Sequence, residues 1–256
     1  MIRNISVILC LLPMLFSCVT QERVSRKEYI AHEGGGVDGY IYTNSLEALQ
    51  QAAENGYRYI ELDLLLASDS VLVAAHSWEE FNEMTGNAQW GDSVLSSADF
   101  VRQRIHGRYT PLTAPVIERF FLDNDSLYLV TDKVSNPALL AKAFPGLKER
   151  MVVEAFSYDD YRQLCSEGYY RVLYSCMAGD LSSALVKHLL FSRLFAGERI
   201  GWITLHTSGL SHRMYRFLNK VRRFNVALFT VDSIDDVEPK HYQRAGMIYT
   251  NTIQPE

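Results

Sequence analysis

Short apolar runs rich in β-branched and aromatic residues alternate with amphipathic stretches from Tyr29 to the end of the chain. Apolar runs bounded by turn residues predict strands, and apolar positions three and four apart predict helices. Strands are predicted at Tyr29–His32, Tyr57–Leu65, Val71–Ala75, Leu127–Asp132, Met151–Ala155, Tyr170–Tyr174, Ile200–Leu205, Val226–Val231 and Met247–Tyr249. Helices are predicted at Ser45–Asn55, Ala114–Leu122, Pro137–Phe144, Tyr158–Ser166, Leu181–Leu194, Ser208–Arg223 and Ile234–Arg244. Asn44 or Ser45 caps the first helix and Gly56 stands just past its end. Asp69-Ser70 is a turn into the third strand. The rhythm breaks between Ser77 and Leu112, which reads as an inserted loop with one short helix near Ser97–Arg104.

About eight strand–helix units imply parallel strands. On 256 residues they favour an α/β fold of the (β/α)8 TIM-barrel class over an open doubly wound sheet. No proline- or serine-rich linker follows residue 28, so a single domain over 29–256, with 77–112 inserted, is the economical reading.

The first residues follow a different rule. Arg3 precedes an apolar run from Ile5 to Phe16, too short to span a bilayer comfortably. It ends in Leu15-Phe16-Ser17-Cys18, which resembles a bacterial lipobox apart from the bulky Phe16. In that reading residues 1–17 are a lipoprotein signal peptide, Cys18 is lipidated, and 18–28 form a tether. An ordinary secretory signal and an uncleaved anchor are the alternatives, and all three export the domain to a periplasm-facing or cell-surface site. Cys165 and Cys176 are then either a disulfide or two buried thiols.

The net charge of −5 comes without a basic stripe, which argues against a nucleic-acid partner. The chemistry gathers in the first third. Glu61 and Asp63 are two apart on one predicted strand and face the same side. Such carboxylates repel unless a cation lies between them, and a hard divalent metal is the simplest answer. His32 and His76 each end an apolar run, and strand ends are where barrel enzymes keep their chemistry. Two imidazoles beside a metal suggest acid–base work. His106, His188, His206, His212 and His241 lack such company, although His206 ends a strand. Trp202 is a candidate substrate contact, with core packing as the alternative; Trp78 and Trp90 in the insertion are candidates for gripping a headgroup, with core packing as the equal alternative.

Motif order adds a resemblance. Ala31-His32-Glu33-Gly34-Gly35, Thr43-Asn44-Ser45, Glu61-Leu62-Asp63, Ala75-His76 and Tyr109-Thr110-Pro111-Leu112 resemble the glycerophosphodiester phosphodiesterase family. Phe229-Thr230-Val231-Asp232 is similar to that family's Trp-Thr-Val-Asn strand, and Gly246 to Asn251 to its glycine-to-Thr-Asp terminus. The resemblance implies a (β/α)8 barrel that hydrolyses a small-molecule phosphodiester with Ca2+ or Mg2+. It implies His32 and His76 as the acid/base pair, and Glu61, Asp63 and Asp132 as metal ligands. It implies Lys133 as a phosphate contact, although the family spaces the acid and lysine by one more residue. Adjacent residues on a regular strand face opposite sides, so a local irregularity is required for both to point inward. Glu33 replaces a phosphate-binding arginine of the family, which means that it turns away, binds the metal, or meets a positive group on the substrate. A related lyase forming a cyclic phosphate, and a non-catalytic binding lipoprotein, are the competing readings.

Overall fold

The computed structural model describes residues 27–176, 202–207 and 225–255. Eight parallel strands close on themselves: β1 (Glu28–Ala31), β2 (Tyr59–Leu66), β4 (Tyr128–Asp132), β5 (Met151–Ala155), β6 (Val172–Cys176), β7 (Trp202–His206), β8 (Asn225–Phe229) and β9 (Met247–Thr250). β1 pairs with both β2 and β9, which completes the barrel. Helices α1 (Leu46–Glu54), α4 (Ala114–Asp123), α5 (Pro137–Ala143), α6 (Tyr158–Ser166) and α7 (Pro239–Arg244) lie between strands. The expected helices Leu181–Leu194 and Ser208–Arg223, the Cys18 segment and the side chain of Cys176 lie outside the described residues, and with them the lipidation and disulfide readings. Among the described residues no helix is long and apolar enough to cross a membrane.

Local chemistry sets the helix starts. Ser45 Oγ accepts from Ala48 N at 3.2 Å, Asn136 Oδ1 from Leu139 N at 2.9 Å, and Ser157 Oγ from Asp160 N at 3.1 Å. Each satisfies an amide that the helix leaves without a partner. Gly56 takes φ +83° just past α1, a conformation that suits glycine. The predicted helix Ile234–Arg244 is divided: a short 3-10 turn covers Ile234–Asp236, and α7 begins at Pro239. Proline has no amide to give a preceding turn, so it starts the helix instead of continuing one.

The ninth strand explains the excess over eight. β3 (Leu72–Ala74) runs antiparallel to the top of β2, with Leu64 opposite Ala74 and Leu66 opposite Leu72. Val71–Ala75 is therefore the return arm of a hairpin and not a barrel strand. The chain leaves the barrel at this hairpin, ahead of Ser77, and carries α2 (Trp78–Met84) and α3 (Ser97–Phe100) before rejoining at α4. The excursion has its own apolar centre, in which Phe81 stacks on Phe100 at 4.2 Å and Trp78 meets both edge-on. Trp90 stays partly exposed.

Inside the barrel, residues change character along the axis. Ile30, Val130, Val152, Leu173, Trp202, Ala227 and Met247 form an apolar plug, closed below by Tyr59 stacked on Tyr128. Above it the inward positions turn acidic. β2 presents Tyr59, then Glu61, then Asp63; β4 presents Tyr128, then Val130, then Asp132. The polar residues thus sit at the strands' C-terminal mouth, with packed hydrophobics as a floor.

Candidate active site

Parallel pairing brings Asp63 of β2 opposite Asp132 of β4. One carboxylate oxygen from each of Glu61, Asp63 and Asp132 lies within 4.8 Å of the others. Glu61 Oε2 accepts from Glu33 N at 2.8 Å, whereas Glu61 Oε1 is buried with no hydrogen-bond partner. Leaving a buried acceptor unsatisfied costs about 1–3 kcal/mol, and more when it is charged. A hard divalent cation would satisfy that oxygen and offset the neighbouring charges together. The donor set is all oxygen, so these residues fit such an ion.

Lys133 resolves the spacing problem noted in the sequence. It takes φ +66° directly after β4, and this irregularity lets both neighbours reach the mouth. Lys133 Nζ lies 3.4 Å from Asp63 Oδ1, and Lys133 N donates to Asp132 Oδ1 at 2.6 Å. Glu33, at φ 49°, turns inward and is buried. Asn44 Nδ2 bridges Glu33 Oε2 at 3.0 Å and Asp63 Oδ2 at 3.2 Å, and Asp63 N donates to Asn44 Oδ1 at 3.1 Å. Glu33, Tyr42, Asn44 and Lys133 are all left-handed without being glycine. Each such residue costs roughly 1–2 kcal/mol, and they persist where the surrounding contacts over-determine them.

The two histidines arrive by different routes. His32 follows β1, and its ring sits edge-on between Tyr42 and Tyr249, with centroids 5.7 and 6.3 Å away. Its Nδ1 lies 3.3 Å from Asn251 Oδ1. His76 arrives on the returning hairpin: Ala75 N donates to Asp63 O at 3.0 Å, which seats the next residue beside the acids. His76 Nδ1 bonds Glu80 Oε2 of α2 at 2.6 Å, and the side chain is 43% exposed.

Burial dominates the electrostatics. It lowers the pKa of His32, opposed by the charge of Asp63 and the bond to Asn251. Burial, then the charge of Asp63, pushes Glu33 up to about 9. Glu61 is raised well above the usual carboxylate range by burial and then by Asp63 and Asp132. Asp132 is raised by the same two causes, burial and then Asp63. Glu154 of β5, beneath the cluster, is raised to about 8 by burial and then by Asp132, while Tyr249 Oη donates to it. Each shift is upward, the direction in which crowded buried carboxylates move when no cation offsets their charge.

Of the residues singled out from sequence, His32, Glu33, Glu61, Asp63, His76, Asp132 and Lys133 come together at one mouth. Trp202 does not: it opens β7, is 2% exposed, and its ring packs against Gly246, where an added Cβ would come within 2.9 Å of Cη2. Trp202 is a core residue of the apolar plug, because inward positions at the start of a strand face the floor and not the mouth. His206, four residues further along β7, is at the mouth end and meets Phe229 edge-on at 5.3 Å. Asn44, Glu154, Asp232 and Asn251 also belong to the site, although the sequence assigned none of them a part in its chemistry. Asn44 carried a signal, since it precedes a capping serine where a turn is needed. Glu154 also carried one, as a lone acid in the apolar run Met151–Ala155.

A closed barrel with an acidic, histidine-flanked mouth has the donor set suited to a metal-assisted barrel hydrolase. The glycerophosphoryl diester phosphodiesterase family model matches residues 32–164, just over half the chain, and the protein belongs to that family. Membership makes it a phosphoric diester hydrolase of the glycerophosphodiester phosphodiesterase type; the family is metal-dependent, and the acidic triad could bind a metal. No curated protein matches the chain. Among solved structures, it is similar to a glycerophosphodiester phosphodiesterase from Thermotoga maritima, at 16% identity and a TM-score of 0.66 over 88% of this chain and 95% of that one. An Oleispira antarctica phosphodiesterase in complex with the product sn-glycerol-3-phosphate matches at 16% identity and 0.65, over 88% and 92%. A glycerophosphodiester phosphodiesterase from Parabacteroides distasonis matches at 19% identity and 0.63, again over 88% and 92%. At these identities the likeness speaks for the fold.

Proposed function

We propose that the protein hydrolyses a glycerophosphodiester with Ca2+ or Mg2+ held by Glu61, Asp63 and Asp132, and with His32 and His76 as the acid/base pair. The unpaired, buried Glu61 Oε1 amid three converging carboxylates is the observation that carries this reading. A divalent ion held by these three residues would supply Lewis-acid chemistry to the phosphate. His32, kept neutral by burial and bonded at Nδ1, has Nε2 left to take the proton of the attacking hydroxyl. His76, whose Nδ1 is held by Glu80, has Nε2 left to protonate the departing alkoxide. Lys133 adds positive charge beside Asp63. Glu33 stands where the family has arginine, and its raised pKa lets it stay protonated near neutral pH, so it need not repel an anionic diester.

The same proposal includes export, a lipid anchor at Cys18 and action at a membrane surface, on the strength of Leu15-Phe16-Ser17-Cys18. The test is release of glycerol 3-phosphate from glycerophosphocholine by the purified protein. Chelation with EDTA should abolish it, and Ca2+ or Mg2+ should restore it. Activity that survives EDTA, or full activity of His32→Ala and His76→Ala, rejects the mechanism. Ligand binding without turnover across a phosphodiester panel would favour the binding-protein alternative that Glu33 motivates, and a persistent cyclic phosphate would favour the lyase.

A further inference from the structure

The hydrogen bonds around His32 continue behind the ring. Asp232, in the segment after β8, accepts through Oδ1 from Asn251 N at 2.6 Å and from Thr250 Oγ1 at 3.2 Å. Its Oδ2 accepts from Asn251 Nδ2 at 2.8 Å. A carboxylate offers only acceptors, so the amide nitrogen of Asn251 must face Asp232 and the amide oxygen must face the other way. That oxygen lies 3.3 Å from His32 Nδ1. An amide oxygen also only accepts, so the imidazole proton belongs on Nδ1 and the lone pair on Nε2.

We propose that Asp232 and Asn251 are positioning residues that hold His32 in the tautomer whose Nε2 accepts the nucleophile's proton, with Asp232 acting through the Asn251 amide. The proposal rests on His32 being the base. The geometry around the pair resists its turning over. Asn251 is 3% exposed, and its backbone oxygen accepts from Gly36 N at 3.0 Å. A Cβ at position 36 would stand 2.8 Å from that oxygen, so the close approach requires glycine. Thr252 Oγ1 ties the segment to Asp232 O at 2.6 Å. The family motifs quoted above carry an amide and then an acid at these two places; this chain carries an acid and then an amide. In this chain a neutral amide, and not a carboxylate, lies against the imidazole.

Other groups face His32 as well. Asp63 comes from β2, and Glu33 Oε1 lies 4.0 Å from Nε2. His76 acts on His32 through its charge, and Tyr42 and Tyr249 present ring edges. Asn251 is the group that meets Nδ1.

The test reads the His32 ring nitrogens directly, by two-bond 1H–15N correlation on the metal-loaded full chain, beside kinetics. In Asp232→Asn the Asn251 amide can turn and present its Nδ2 to the ring. The His32 proton should then move to Nε2, and kcat should fall about 100-fold with KM within about threefold. In the exchange variant Asp232→Asn/Asn251→Asp a carboxylate meets Nδ1–H. The original tautomer should return, with at least about tenfold of kcat, and the acid limb of the kcat/KM profile should rise by about one pH unit. An unchanged tautomer in Asp232→Asn, whatever its kcat, overturns the proposal. So does an exchange variant whose acid limb stays in place, which is decisive even if the single variant fails to fold. His32→Ala keeps the two readings apart: full activity there removes the base assignment, whereas the nitrogen spectra still report on the relay.

Discussion

The two histidines at the mouth are built on different principles. His32 belongs to the barrel wall: it is mostly buried, follows a strand paired on both sides, and meets a neutral amide. His76 belongs to the excursion: its side chain is 43% exposed, and its partner Glu80, 50% exposed, sits on a helix outside the barrel. Burial favours the neutral imidazole and the Asn251 amide selects its tautomer, which suits a base that must be neutral before it acts. Exposure with a carboxylate partner suits a donor that must recharge from solvent after each turnover. The wall side is therefore preorganised by packing and a buried run of hydrogen bonds, and the excursion side by one polar contact that solvent screens.

Asp63 serves both sides, and replacing it breaks the comparison altogether. Its side chain takes Asn44 and Lys133, and its carbonyl takes Ala75 N. Asp63→Asn should lower kcat/KM by about 10³-fold or more, since loss of a cation's support removes several kcal/mol from the transition state. Calorimetric titration should show Ca2+ or Mg2+ binding lost in parallel. Near-normal metal affinity would remove Asp63 from the ligand set.

The histidines themselves should then differ. His32→Ala should cost about 10³-fold in kcat and His76→Ala about 10²-fold, within the span usual for acid–base groups. A substrate with a good leaving group, such as a p-nitrophenyl phosphodiester, needs no proton at departure. It should restore His76→Ala to within about threefold of wild type and leave His32→Ala impaired. Rescue in the opposite sense would exchange the two roles. A milder change sharpens the same contrast: Glu80→Gln should lower kcat roughly 3–10-fold. Its effect on stability should stay within about 0.5 kcal/mol, as for other exposed pairs.

This contrast also decides what the sequence disclosed. Barrel strands were legible as apolar runs, α1, α5 and α6 as apolar periods that follow Ser45, Asn136 and Ser157, and α4 as an apolar period with Pro115 in its first turn. Met151–Ala155 and Tyr158–Ser166 match to the residue. The ligand-type acids were legible because a strand's alternation fixes which side Glu61 and Asp63 share. Direction was not legible at β3, since a short apolar strand reads the same whether it continues a barrel or folds back. Nor were the residues that hold His32 in place: Asp232 and Asn251 come together across 19 positions through side-chain bonds that leave no periodic trace. Trp202 misled for a related reason, because position along the barrel axis and not residue type decides between floor and mouth.

The smallest expected effect separates the acidic interior from the exposed side by stability alone. Glu33, Glu61, Asp132 and Glu154 all have pKa values raised above those of an unfolded chain, with Glu33 at about 9 and Glu154 at about 8. Between the unfolded value and the folded one, the folded state binds more protons, so stability falls as pH rises through that window. The metal-free protein should therefore melt at lower temperature at pH 8.5 than at pH 5, and Ca2+ or Mg2+ should flatten the slope. Glu154→Gln isolates one share. Its amide oxygen can still accept from Tyr249 Oη, and it has no charge to desolvate. Relative to wild type its Tm should be nearly unchanged at pH 5 and higher by about 3 °C at pH 8.5, the size expected when roughly 1 kcal/mol is recovered in a chain of this length. A Glu154→Gln difference that is constant across the range would place the cost in packing and not in charge.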